Sequence, residues 1–74
     1  MTRMNHGGIP LKGDRVQIYE DPMTRQKPEG IAIVIKVLKT EEIDKCVRHS
    51  RIKCRFESDA PGDTVERVYV WAAD

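Results

Sequence analysis

The chain has 74 residues, of which 34% are charged and 39% hydrophobic, and its 13 lysines and arginines nearly balance 12 acidic residues. This length suffices for one domain that buries only about 60% of its unfolded surface, so a large enclosed active site is not expected. The balanced charge provides no global field toward nucleic acid or an anionic membrane, and any such preference must come from local clustering. The clustered carboxylates Glu20, Asp21 and Glu29 have no recognisable His, Cys or Ser partner set, so we predict a surface binding site and no enzyme activity.

Two cysteines, Cys46 and Cys54, are too few for a disulfide-stapled secreted protein. On one continuous strand they would lie roughly 26 Å apart, and no Gly, Asn or Pro between them favours a hairpin turn. We therefore predict two reduced thiols in a cytoplasmic protein. With His49 they lack the paired spacing of zinc ligands, so neither a metal nor a cofactor is predicted. The absence of an 18-residue apolar run predicts no membrane span, and no signal-peptide core is recognisable.

Residues 1–10 are predicted to form a flexible arm, residues 11–71 the single domain and residues 72–74 a tail. In the first strand Val16 and Ile18 alternate with polar neighbours, which predicts that both face the core.

Residues 20–30 are predicted to form a polar, proline-containing loop, with Gly30 supplying a positive φ where the chain re-enters the sheet. Such a loop is longer than an ordinary hairpin connection, and long ordered loops in compact domains often carry function. Residues 31–38 form the next predicted strand. Both of its faces are substantially apolar, as expected of a strand that bends from one side of a barrel to the other.

Residues 40–50 are open to two interpretations. Thr40 is a suitable helix cap, and Ile43, Cys46 and Val47 follow at helical spacing. The competing interpretation is a polar loop that leads into an early strand. We favour a loop with one helical turn around residues 41–47.

Residues 51–57 alternate clearly, as in a strand with one buried face. The inward set is Ile52, Cys54 and Phe56, and the outward set is the cationic row Arg51, Lys53 and Arg55. A turn at Pro61-Gly62 precedes the last strand, residues 64–71. Either its aromatic residues or its valines could fill the core, and we expect Val68 and Val70 inside. The fold class predicted is all-β: a small SH3-like barrel of four or five antiparallel strands, whose closure would remove exposed edges.

The segments Lys12-Gly13-Asp14-Arg15-Val16-Gln17-Ile18 and Gly30-Ile31-Ala32-Ile33-Val34 resemble the opening of KOW-like and other SH3-like barrels. The resemblance implies an SH3-like barrel and, for the KOW domains of ribosomal and transcription proteins, RNA binding. This sequence replaces the family's glycine-rich turn with an acidic, proline-containing segment. Most of the chain is also similar to small uncharacterised proteins of phages and mobile elements, a resemblance that carries no assigned activity.

The first function hypothesis is a protein-interaction or adaptor domain that uses the 20–30 loop. Its predicted site comprises Tyr19, Asp21, Met23, Arg25, Lys27 and Trp71. A protein partner is expected, no small-molecule substrate is, and the chain should be a monomer or a weak homodimer paired through its last strand.

The alternative is RNA or DNA binding, in which cationic side chains contact phosphates and an aromatic ring stacks on a base. Its predicted site comprises Arg48, Arg51, Lys53, Arg55, Arg67 and Tyr69, with Trp71 beside them. Solubility alone would also explain an exposed cationic row, and the balanced net charge argues against this alternative.

Overall fold

The computed structural model describes residues 8–60 and 62–72. They form the four strands β1 (Arg15–Asp21), β2 (Gln26–Asp44), β3 (Val47–Phe56) and β4 (Val65–Ala72). The strands build one antiparallel sheet in the order β1-β2-β3-β4, and no described residue is helical. The predicted all-β fold of four antiparallel strands is therefore confirmed.

The sheet curls around a common core but is not closed into a barrel by backbone pairing. Within the described residues, β1 and β4 are edge strands that do not pair with each other. The core nevertheless contains Val16 of β1 and Tyr69 of β4 in one cluster, which requires the two edges to bend toward each other. An open seam therefore runs between β1 and β4.

Bulges in β2 produce this curl. Relative to β3, the register of the 19-residue β2 shifts three times, which leaves Ile35, Leu38 and Ile43 without a partner in the ladder. Each bulge bends its strand and increases the local twist. A strand of this length can therefore follow the core instead of extending past it.

The core consists of seven buried side chains drawn from all four strands: Val16, Ile18, Ala32, Val34, Ile52, Cys54 and Tyr69. The predicted burial of Val16, Ile18, Ile52 and Cys54 is confirmed. Phe56 is half-buried and packs against the cluster.

The predicted orientation of β4 is wrong. Tyr69 is only 8% exposed and Trp71 packs against the core, whereas Val68 and Val70 are half-buried on the opposite face. Tyr69 lies opposite the fully buried Ser50 of β3. The rest of the core is built mainly from valine, isoleucine, alanine and cysteine, so a large ring fills volume that these side chains leave open.

The prediction of a loop at residues 20–30 is also wrong, because most of these residues belong to the two strands of a β-hairpin. β1 continues to Asp21, β2 begins at Gln26, and only residues 22–25 form the turn. The Thr24 N–H donates to the Asp21 carboxylate at 3.4 Å. The positive φ predicted for Gly30 is confirmed at 144°, at the position where the β1–β2 register shifts.

A second hairpin replaces the loop and helical turn predicted for residues 40–50. β2 runs to Asp44, Lys45 and Cys46 form the turn, and β3 begins at Val47. Arg48 holds this turn, since its Nη1 donates to the Asp44 carbonyl at 3.1 Å. The backbone groups that a helix would have hydrogen-bonded within one turn are instead hydrogen-bonded between β2 and β3.

Of the predicted arm, residues 1–10, the first seven lie outside the described residues. Residues 73 and 74 of the predicted tail also lie outside them. Pro10 is fully buried and so belongs to the domain. After it the chain turns, with the Asp14 N–H donating to the Leu11 carbonyl at 2.9 Å. The Gly13 N–H donates to the Val34 carbonyl at 2.7 Å, which fastens this turn to β2.

Candidate nucleic-acid interface

The outward face of β3 carries the predicted cationic row. Arg51 and Lys53 are exposed and Arg55 is half-buried, whereas the residues between them point into the core. Alternate residues on a strand are roughly 6.6 Å apart, so the three charges form an evenly spaced line. The structure thus brings together these three members of the predicted nucleic-acid site.

β2 places two more lysines directly against this row. Lys36 lies opposite Lys53, and Lys39 lies opposite Arg51. Like charges directly opposite each other on one face of a sheet repel and destabilise the pairing. These two consecutive outward pairs therefore lower the stability of the β2–β3 pairing, whereas on the other side of β3 Glu66 of β4 lies opposite Lys53. We call the five side chains Lys36, Lys39, Arg51, Lys53 and Arg55 the cationic face.

Only two carboxylates in the described part of the chain lie within ion-pair distance of the cationic face. Arg51 Nη1 is 3.9 Å from Glu66 Oε1, and Lys39 Nζ is 3.3 Å from Glu41 Oε1. All four side chains are more than half exposed, and pairs of this kind contribute about 0–1 kcal/mol. The other three cations have no described carboxylate within 4.0 Å.

The two lysines of β2 were not predicted as part of the site, and the reason is two bulges. The register shift at Ile35 turns Lys36 outward, away from the face of the buried Ala32 and Val34. Lys36 and Lys39 have opposite parity, so regular alternation would place them on opposite faces. The register shift between Val37 and Lys39 leaves out Leu38 and returns Lys39 to the outward face. Nothing in the sequence alone marks Leu38 as the bulged residue.

Three other predicted nucleic-acid residues lie away from the cationic face. Arg48 donates hydrogen bonds to backbone carbonyls of the β2–β3 turn, and its Nη1 lies 3.1 Å from Glu42 Oε1. Tyr69 is buried, so the predicted exposure of its ring for base stacking is wrong. Arg67 faces the inner side of the sheet, opposite Ile52.

Arg67 joins β4 to β2 across the open seam. Its Nε and Nη2 donate to the two carboxylate oxygens of Glu29 at 3.0 and 3.2 Å, and its Cζ lies 5.7 Å from the centre of the Phe56 ring. The hydrogen bonds to Glu29 raise the pKa of Arg67 above its ordinary value. This guanidinium is therefore engaged in holding β4 to the β1–β2 hairpin.

Trp71 is similarly engaged inside the domain. Its indole N–H donates to Ser50 Oγ at 2.9 Å, and Ser50 Oγ lies 2.8 Å from Thr40 Oγ1. The hydroxyl of the fully buried Ser50 thereby bonds to side chains from both neighbouring strands. These bonds satisfy polar groups that would otherwise be costly to bury.

Of the six residues predicted for protein binding, five lie on the β1–β2 hairpin, whereas Trp71 lies on β4. Tyr19 lines a groove of about 490 Å³ at the seam, together with Glu20, Pro22, Glu29, Glu66, Arg67 and Val68, but Trp71 does not line it. Met23 is 58% exposed in the turn between β1 and β2. Arg25 and Lys27 are exposed and have positive φ values, and the Asp21 carboxylate accepts the bond from Thr24.

Both thiols are free, with Cys46 exposed in the turn between β2 and β3 and Cys54 buried in the core. Burial raises the pKa of the Cys54 thiol. No cluster of three or more His, Cys, Asp or Glu side chains suited to a metal ion occurs among residues 8–60 and 62–72. The same residues contain no helix with the length and apolar character to cross a bilayer.

Burial raises the pKa of Tyr69, because the phenolate would lose its hydration in the core. Since the neutral form is favoured in the folded state, stability should be retained below about pH 10, the ordinary tyrosine value, and decrease as the pH rises through the raised pKa. We expect Tyr69→Phe to reduce this alkaline loss, measured as the free energy of unfolding in urea at increasing pH. Identical profiles for Tyr69→Phe and the unmodified chain would contradict this assignment.

No protein-family model matches the chain, and no curated protein or solved structure shows significant similarity to it. The surfaces of the sheet are therefore the basis for inferring its function.

Proposed function

We propose that this chain is a small non-catalytic binding domain whose cationic face binds the phosphate backbone of single-stranded RNA or DNA. The observation that supports this most is the two like-charge pairs, Lys36 with Lys53 and Lys39 with Arg51. Such pairs lower stability by an amount on the order of 0.2–1 kcal/mol each. A polyanionic ligand removes this repulsion when it binds, which gives the arrangement a function.

The shape of the face also suits a backbone ligand. Its five cations lie on two adjacent strands, so an extended strand of nucleic acid could contact them in succession. The rings of Tyr69 and Trp71 pack inward, which leaves phosphate contacts as the main interaction. Binding should therefore depend strongly on salt and weakly on base sequence.

The resemblance to KOW-like domains implies the same class of ligand. A cytoplasmic location, where both thiols would stay reduced, is part of this proposal. The adaptor hypothesis based on residues 20–30 has less support, because the connection is a four-residue turn and Trp71 does not line the groove beside Tyr19.

The direct test is fluorescence anisotropy with short labelled homopolymers of deoxythymidine and uridine at increasing salt. Five phosphate contacts predict a slope of log affinity against log salt of about −3.5. The double variant Lys36→Gln/Lys53→Gln should bind more weakly and reduce that slope by about 1.4, since each contact to a single strand contributes roughly 0.7.

The matched control is Lys27→Gln/Lys45→Gln, which removes the same charge from exposed positions outside the cationic face. It should retain nearly the full slope. The proposal fails if the unmodified chain does not bind either homopolymer at low salt, or if both double variants lose affinity equally.

A further inference from the structure

A second surface feature lies beside the cationic face, where the turn after Pro10 meets β2. It is a groove of about 550 Å³, lined by the aliphatic side chains of Leu11, Ile35 and Val37 and by Pro10. Three lysines, Lys12, Lys36 and Lys53, complete its lining. We call it the lysine-rimmed groove.

The groove is a built feature of the fold. The bond from the Gly13 N–H to the Val34 carbonyl fixes the turn against β2, and the Leu11 N–H donates to Asp14 Oδ2 at 3.1 Å. The bulge in β2 at Ile35 places that side chain in the groove. Leu11 remains 50% exposed although its neighbour Pro10 is fully buried.

The charged residues that line the groove are all lysines. None of its three lysines has a described carboxylate within 4.0 Å. Half-exposed aliphatic side chains favour a ligand that covers them with apolar surface. Unpaired ammonium groups around them favour carboxylates at the edge of that ligand.

We propose that the lysine-rimmed groove binds a peptide segment of a protein partner in which leucine-like side chains alternate with aspartate or glutamate. The apolar side chain would contact Leu11 and Ile35, and the acidic neighbours would face the lysines. Nucleic acid matches the charge, but its largest aliphatic group on a base is the thymine methyl, which is much smaller than a leucine side chain. An anionic membrane surface also matches the charge, but insertion into a bilayer requires several apolar side chains that protrude from the protein, whereas Leu11 is the one exposed apolar residue among the described residues that line this groove.

The groove shares Lys36 and Lys53 with the cationic face. An acidic peptide and a nucleic acid should therefore compete for the domain. This competition rests on the proposed function, whereas the peptide site itself does not.

The test uses a labelled synthetic peptide of alternating leucine and glutamate, titrated by fluorescence anisotropy. Leu11→Ser should weaken binding about tenfold, because covering the exposed half of a leucine side chain contributes roughly that factor. Ile43→Ser removes an apolar side chain that is 40% exposed at a bulge of β2 outside the groove, and it should leave the affinity unchanged.

Two single lysine variants separate the two sites. Lys12→Gln removes a groove lysine that is not part of the cationic face, and Lys39→Gln removes a face lysine that does not line the groove. We expect Lys12→Gln to weaken the peptide more than the homopolymer, and Lys39→Gln to do the opposite. If the homopolymer fails to bind while the peptide binds in a Leu11-dependent way, the groove proposal stands and the nucleic-acid proposal falls.

Three results would overturn the groove proposal. The first is no binding of the peptide by the unmodified chain. The second is equal binding of a control peptide in which lysine replaces glutamate. The third is Leu11-dependent binding to phosphatidylserine vesicles without binding to the peptide, which would identify a membrane surface as the ligand.

Discussion

Replacing Ile52 by alanine is expected to lower the free energy of unfolding by about 3 kcal/mol. Ile52 is fully buried near the middle of β3, the strand that pairs with β2 on one side and β4 on the other. The substitution leaves a cavity where all four strands meet in the core. Small domains are typically stable by about 5–15 kcal/mol, so this loss is a large fraction of the total.

Urea denaturation measures this effect, and Leu38→Ala is the matched control. Leu38 is 40% exposed at a bulge of β2, so its truncation should change stability by less than about 1 kcal/mol. Equal losses for the two variants would contradict the position assigned to the core.

Gly30→Ala is expected to destabilise the domain by about 2 kcal/mol through its backbone conformation. Gly30 has a φ of 144°, which side-chain-bearing residues rarely adopt. An added Cβ would lie 3.5 Å from Cδ1 of Phe56, which is an ordinary contact. The loss should therefore come from strain, without a steric clash.

The control for this prediction is Gly8→Ala, where an added Cβ meets nothing within 4 Å and φ is not in the positive range. It should change the midpoint of urea unfolding very little. A Gly30→Ala variant as stable as the Gly8→Ala variant would show that this hairpin tolerates another backbone conformation.

Alternation alone predicted the faces of β1 and β3 correctly. Val16 and Ile18 lie where the β1–β2 register is regular, and the β3–β4 ladder has no shift. With no extra residue inserted, the two-residue period of a strand maps directly onto the two faces. The row Arg51, Lys53 and Arg55 was predictable for the same reason.

The second strand could not be predicted in this way, because each bulge exchanges the two faces for all residues that follow. The position of a bulge depends on pairing with a partner strand that is distant in sequence. Lys36 and Lys39 therefore join the cationic face only in the folded sheet. The roles of Arg48 and Arg67 were equally hidden, since each depends on the acceptor that the fold supplies.

The burial of Tyr69 illustrates a third limit. In a strand where valines alternate with aromatic residues, both faces are apolar, and local pattern does not decide between them. The choice depends on the volume available opposite Ser50, which is a property of the packed core.

The most direct test of the proposed cationic face measures stability and binding in the same variant. Lys36→Glu places a carboxylate opposite Lys53 and converts a repulsive pair into an attractive one. We predict that the free energy of unfolding rises by about 0.5–1 kcal/mol while affinity for the labelled homopolymer falls about tenfold at low salt. A variant that is less stable than the unmodified chain and binds the homopolymer with unchanged affinity would contradict the account.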